Sequence, residues 1–139
     1  MSRDLVIGVD CSTTACKAVV WDMSGKAIAI GRHGYGLDHV RSGWVEQNAA
    51  DWWVATSAAI AEAVKQVGGD RIAALAITHQ RETFVCLDHA GNAIRPAITW
   101  MDIRATAEVE AFGTEEVHRI TGKPPNPTPA WYKLLWLRK

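Results

Sequence analysis

The first 22 residues constrain this chain most tightly. A wholly apolar run, Leu5-Val6-Ile7-Gly8-Val9, ends on the carboxylate of Asp10. The hydroxyl cluster Ser12-Thr13-Thr14 follows, and a second apolar run, Ala18-Val19-Val20-Trp21, ends on Asp22. Two short apolar runs around a Ser/Thr turn predict a β-hairpin. Successive backbone N–H groups in a tight turn form an anion-binding nest. Lys17 lies just beyond this turn, and Asp10 is placed to hold Mg2+ directly or through water. The competing reading is a plain hairpin, because Ser and Thr favour turns for reasons unrelated to any ligand.

A third strand, Ala27-Ile28-Ala29-Ile30, follows the turn Met23-Ser24-Gly25-Lys26, so the chain should open as a three-stranded antiparallel meander. Residues 31–47 read as a long loop with a short extended piece at Trp44-Val45-Glu46, and their glycines do not spell a dinucleotide-binding fingerprint. Asn48 is a helix cap, with Asp51 in the first turn. Trp53, Ile60, Val64 and Val67 recur at helical spacing until Gly68-Gly69 stops the helix. Trp52 and Trp53 are expected in the core, since large aromatics on an amphipathic helix supply buried area.

The stretch from Arg71 to Thr78 is apolar on both faces, as in a buried strand of a mostly parallel arrangement reached by a right-handed crossover. A second hairpin should pair Phe84–Leu87 with Ala93-Ile94. Asp102 should cap a helix running to Phe112, and a short helix should cover Glu115 to Ile120. Gly122 to Pro129 holds four of the five prolines and must be irregular, with Thr128 capping a last helix that has Pro129 in its first turn. The order predicts an α/β fold with a mixed sheet, antiparallel meander plus parallel strands, flanked by helices.

At 139 residues the chain is one domain or part of one. Lys+Arg and Asp+Glu are equal at 15 each, which leaves no electrostatic footprint for nucleic acid or an anionic membrane. Three cysteines, Cys11, Cys16 and Cys86, form no CxxC pair and leave one unpaired in any disulfide scheme, which suits a reducing compartment. They share no metal-ligand spacing with the histidines, so no zinc site is expected. Asp4 and Asp10 interrupt the N-terminus too early for a signal peptide. No apolar stretch approaches the roughly 20 residues that cross a bilayer. The expectation is a cytoplasmic protein.

Polar residues collect at the ends of the first strand (Asp10, Ser12, Thr13, Thr14) and the fourth (Thr78, His79, Gln80, Arg81, Glu82). Ligands of open α/β sheets bind near strand carboxyl ends, so two clusters suggest two substrates, one of them a phosphate donor. Gly8-Val9-Asp10-Cys11-Ser12-Thr13-Thr14 with Lys17 resembles the first phosphate motif of the FGGY carbohydrate kinases, within the actin-like, ribonuclease-H-like ATPase superfamily. Gly43-Trp44-Val45-Glu46-Gln47-Asn48 with Asp51-Trp52-Trp53 is similar to segments of xylulokinases and glycerol kinases alike. Thr78-His79-Gln80-Arg81-Glu82-Thr83 resembles the glycerol kinase sugar-site motif. The segment from Ala97 to Arg104 matches the family's Trp-x-Asp-x-Arg pattern, and Lys133-Leu134-Leu135-Trp136 resembles a xylulokinase helix.

The resemblance implies a ribonuclease H-like, actin-like ATPase fold, with residues 1–139 forming the N-terminal portion of the first kinase domain. It implies ATP-dependent phosphorylation of a terminal hydroxyl of a small sugar or polyol. Asp10 would hold Mg2+ through water; Ser12, Thr13, Thr14 and Lys17 would cradle the phosphates; Gln80, Arg81, Glu82 and Trp100 would take the substrate. The family's catalytic aspartate lies well downstream, so no residue here is assigned that role and the chain alone is expected to be inactive. Three departures bear on substrate. Ser12 stands where the family usually has Gly; Thr128 aligns with a tyrosine that glycerol kinases place near the substrate; xylulokinases carry Met-His where this chain has Arg81-Glu82. The proline-loop region and last helix favour a ketopentose, and Arg81-Glu82 favours glycerol or another polyol. A homodimer is one open possibility for assembly. Half of a domain should leave apolar surface uncovered. A non-catalytic sugar- or nucleotide-binding module is the alternative from another class.

Overall fold

The computed structural model describes residues 3–139. The chain divides into two units, Met1–Gly36 with Asn48–Gln80, and Leu37–Gln47 with Arg81–Lys139.

In the first unit, strands β1 (Leu5–Cys11), β2 (Ala15–Asp22) and β3 (Ala27–Gly34) form the expected antiparallel meander. Helix α1 (Ala49–Lys65) leads through a single 3-10 turn, Gly69–Arg71, to β6 (Ile72–His79), which lies parallel to β1. The sheet order is β3-β2-β1-β6, so β1 has one antiparallel and one parallel neighbour. Side chains alternate across a strand. Leu5, Ile7 and Val9 of β1 join Cys16, Ala18, Val20 and Ala29 in the core beneath α1, whose Ala55, Ala59 and Ala63 form one small-residue ridge. A ridge of alanines brings the helix close, and Gly31 completes the fit: a Cβ there would run into the Ala59 carbonyl oxygen. Asn48 caps α1 as predicted, accepting from the Ala50 N–H at 3.1 Å. The outer edge of β3 is not left bare. Glu62 accepts the Arg32 N–H at 2.9 Å, and Gln66 donates to the Ile30 carbonyl at 2.9 Å.

Two expectations fail in this unit. β6 is apolar on both faces but exposed from Ala73 to His79, with Leu75 46% and Ile77 56% accessible. The α1 ridge lies over β2 and β3, leaving β6 outside its cover. Trp53 is 74% exposed, because Ala55, Thr56 and Ala59 define the buried face of α1 and Trp53 lies off it.

In the second unit, the extended piece expected at Trp44-Val45-Glu46 is β5 (Trp44–Gln47), and residues expected as loop form β4 (Asp38–Arg41), which pairs antiparallel with it. β5 also pairs with the two-residue β7 (Ala97–Ile98). The second hairpin is reduced to a bridge between Leu87 and Ala93 around a turn that Asp88 organises, its carboxylate accepting from Ala90 and Asn92 N–H groups. Helices α2 (Thr106–Phe112) and α3 (Glu115–Thr121) follow, then α4 (Ala130–Leu137). Asp102 does not cap α2, whose cap position is Ala105. Nor does Thr128 cap α4, where Pro129 holds the cap position. No helix among the described residues is long and apolar enough to cross a membrane.

Gly31→Ala should lower stability by about 2 kcal/mol or more, because a backbone carbonyl cannot give way as a side chain can. Gly36→Ala, with open space around its Cα, should fall within about 0.5 kcal/mol of the parent. Urea unfolding of both variants checks this pair.

Candidate functional site

The first candidate cluster stands at the open end of β1 and β2. Asp10 is opposite Lys17 in the antiparallel register and beside Thr78 in the parallel one, so alternation puts all three on the sheet face away from α1. The Ser12 hydroxyl donates to Asp10 Oδ2 at 2.6 Å. An open cavity of about 390 Å3 lies over this face, bordered by Gly8, Asp10, Lys17, Trp21, Ala76 and Thr78. One carboxylate with a hydroxyl beside a cavity fits a hydrated Mg2+, which commonly takes one or two carboxylates and keeps several waters. The Lys17 ammonium suits an anion held beside it.

The turn is braced from behind. Ser12 N–H bonds the Ala15 carbonyl at 3.0 Å, and Tyr35 N–H bonds the Thr14 carbonyl at 3.0 Å. The Tyr35 hydroxyl donates to the Ser12 carbonyl in a short hydrogen bond. Burial raises the Tyr35 hydroxyl well above the ordinary phenol range, so it remains a donor at any physiological pH. The Gln80 N–H bonds the Cys11 carbonyl at 3.2 Å and joins the end of β6 to this turn. Tyr35 was not among the predicted site residues. Nothing in a lone tyrosine after a strand signals that its hydroxyl will return to a turn 20 residues upstream.

The remaining predicted substrate residues, Arg81, Glu82 and Trp100, belong to the second unit. Arg81 is exposed. Glu82 has φ 65°, a left-handed conformation that no other non-glycine residue adopts among those described. Such a position costs on the order of 1–3 kcal/mol and persists only where surrounding contacts enforce it. Here both carboxylate oxygens are engaged. Oε2 accepts the Ala130 N–H at 2.8 Å, at the start of α4, and Oε1 pairs with Lys123. One carboxylate therefore clasps both ends of the proline loop.

Trp100 is 39% exposed, and its backbone N–H donates to the Thr83 hydroxyl at 3.0 Å. Its carbonyl side is held by Lys133, which is wholly buried and donates to the carbonyls of Thr99 at 3.0 Å and Thr128 at 2.8 Å, with Trp100 at 3.5 Å. Burial lowers the Lys133 ammonium to about 8, with the Arg104 charge adding to the effect and Asp102 opposing it. α4 thus fixes both Glu82 and Trp100.

Deeper in the unit, Arg104 meets Asp102 in a two-pronged pair, Nε to Oδ1 at 2.8 Å and Nη2 to Oδ2 at 2.7 Å. It also donates to Glu46 at 2.7 Å and stacks 3.8 Å over Trp44. Asp102 accepts the Val45 N–H at 2.6 Å. Burial works against the Arg104 charge, but the bonds from Asp102 and Glu46 outweigh it and hold the guanidinium above its usual value. Asp102 is therefore a buried strut. Asp22 is likewise committed to its turn, accepting from Ser24 N–H at 2.9 Å and Lys26 N–H at 3.0 Å.

Comparison with known proteins agrees across the length of the chain. Residues 5–139 match the FGGY family of carbohydrate kinases, N-terminal domain. The glycerol kinase of Gluconobacter oxydans is 36% identical over 141 aligned positions, covering 97% of this chain and 28% of that protein. The ligand-bound xylulose kinase and the gluconate kinase of Lactobacillus acidophilus each superpose with a TM-score of 0.91 at 31% identity, covering 97% of this chain and 28% of theirs. The chain spans less than a third of the length of these relatives.

Lys133 supports a pH prediction. Between about pH 8 and 10.5 the unfolded chain keeps a proton on this lysine that the folded chain has released, so folding stability should rise with pH across that window. Lys133→Met lacks the titration. The stability difference between parent and variant should therefore grow in the parent's favour from pH 8 to 10.5. Urea unfolding at several pH values measures it, and a constant difference contradicts the assignment.

Proposed function

The chain belongs to the FGGY family of carbohydrate kinases and has the actin-like ATPase fold of its structural neighbours, and we propose that it is the N-terminal part of a kinase that transfers the γ-phosphate of ATP to a terminal hydroxyl of a small sugar or polyol. The observation that carries this reading is the β1–β2 turn, with Asp10, Ser12 and Lys17 gathered at an open cavity. Phosphoryl transfer asks mainly for alignment and for neutralisation of charge. Thr13 and Thr14 would offer backbone N–H and hydroxyl groups to the β- and γ-phosphates. Ser12, whose N–H is taken by the Ala15 carbonyl, would contribute its hydroxyl by exchange from Asp10, and Lys17 would add a point charge. Asp10 would hold Mg2+ through its water shell, an ion whose chemistry here is to neutralise phosphate charge. Tyr35 keeps the turn in shape from behind.

On the sugar side, Arg81 and Glu82 would donate to and accept from substrate hydroxyls, Gln80 would add an amide, and Trp100 would lie against the C–H face. Substrate contact at Glu82 requires exchange of its present bonds to Lys123 and Ala130. We assign the general base to the rest of the protein, since Asp22 and Asp102 are committed elsewhere and Asp10 stands at the phosphate turn.

Two substrate readings have support. A ketopentose is favoured by likeness to a xylulose kinase structure, and glycerol or another polyol by Arg81-Glu82 and the glycerol kinase relatives. A coupled assay of the full-length protein with ATP and xylulose, ribulose, glycerol or erythritol separates them. Stimulation by none of these or related sugars would favour a binding module over a kinase. Asp10→Ala in the full-length protein should lower transfer by on the order of a hundredfold or more while leaving sugar binding unchanged; equal loss of both would make the residue structural.

A further inference from the structure

The paired cysteines at the neck of the phosphate turn have no part in the reaction proposed above. Cys11 and Cys16 are direct cross-strand partners, the last pair of the β1–β2 ladder before the turn. Ser12 N–H bonds the Ala15 carbonyl. Hydrogen-bonded and non-hydrogen-bonded pairs alternate along an antiparallel ladder, so the next pair, Cys11 with Cys16, is the narrow type, with Cα atoms about 4.5 Å apart. Disulfides span Cα distances of roughly 4.4–6.8 Å. Both side chains lie on the α1 face and converge on one hydroxyl: Thr56 Oγ1 is 2.9 Å from Cys16 Sγ and 3.9 Å from Cys11 Sγ. Cys16 is fully buried and Cys11 partly exposed, so a reagent reaches the pair through Cys11.

We propose that Cys11 and Cys16 form a reversible modification site, closed to an intramolecular disulfide by a low-molecular-weight disulfide oxidant. The Cys11 thiolate attacks one sulfur of the oxidant RSSR, and RS− leaves. The Cys16 thiolate then attacks the Cys11 sulfur and displaces the second RS−. Two protein thiols become one disulfide, the oxidant becomes two RSH, and the two protons pass to the departing thiolates. Closure draws Cys11 Sγ from the Tyr35 hydroxyl, 3.5 Å away, and Cys16 Sγ from Thr56. Oxidation therefore acts on the side chains that brace the turn between Asp10 and Lys17. The site itself does not depend on the kinase reading.

The test is oxidation of the folded chain with oxidised glutathione, followed by acid quench, unfolding, alkylation and tryptic digestion. No Lys or Arg lies between Asp4 and Lys17, so one fragment carries both cysteines. This fragment should lose a pair of hydrogens and take no alkyl group, and dithiothreitol should restore both alkylation sites. Cys86→Ser should leave the link intact. Cys16→Ser should instead trap glutathione on Cys11. Any of three results overturns the proposal: glutathione retained on Cys11 of the parent with Cys16 still alkylating, a link from either cysteine to Cys86, or alkylation of both cysteines after oxidation.

Discussion

The alternation of side chains along β1 is the constraint from which the first unit follows. Leu5, Ile7 and Val9 point beneath α1 and make the core, which leaves Val6, Gly8 and Asp10 on the opposite face. β2 is held to β1 in a register that sets Lys17 against Asp10 and Cys16 against Cys11. β6, in parallel, brings Thr78 to the other side of Asp10. A slip of one residue would send every core side chain to the wrong face, so burial of three apolar residues fixes where the carboxylate stands. The site is a consequence of core packing, with Gly31 and the alanine ridge of α1 setting how closely the covering layer can approach.

The second unit is built around buried charge. Arg104 lies between Asp102 and Glu46 with its guanidinium over Trp44, and Arg95 reaches Glu46 from a less buried position at 2.8 Å. Removing Arg104 would leave the Asp102 carboxylate buried without its cation, the costly case for a buried ion pair. Lys133 applies a similar logic to backbone: an ammonium out of water is tolerated because carbonyls from two segments surround it. Both segments adjoin predicted substrate residues, Trp100 directly and Glu82 through the start of α4. The left-handed backbone of Glu82 belongs to the same picture, since both ends of the proline loop hold its carboxylate in place.

Much of this was legible in the sequence. The meander, α1 with its Asn48 cap, β6, the short helices and the proline loop all follow from apolar periodicity and from Gly and Pro punctuation. The β1–β2 hairpin was legible because hydroxyl residues between two apolar strands leave a local signature, while its reading as a phosphate turn came from the family resemblance. What escaped depended on distant partners. Asp102 has the look of a helix cap beside Arg104, and only Val45, brought from a distant segment, turns the pair into a strut. Lys133 looks like a solvated helix residue until the carbonyls of Thr99 and Thr128 close around it. The apolar character of β6 and Trp53 promised burial, yet α1 covers β2 and β3 instead. Family resemblance went further than periodicity here, and the match over residues 5–139 agrees with it.

The central claim is that the β1–β2 turn binds phosphate. It is tested most directly by amide NMR of this chain titrated with Mg2+ and inorganic tripolyphosphate, a probe that needs no adenosine pocket. The account predicts shifts concentrated at the amides of residues 11–17 and in the Thr78 strand end, lost in Asp10→Ala. Unmoved turn amides at millimolar tripolyphosphate, or shifts centred elsewhere in the chain, would contradict it.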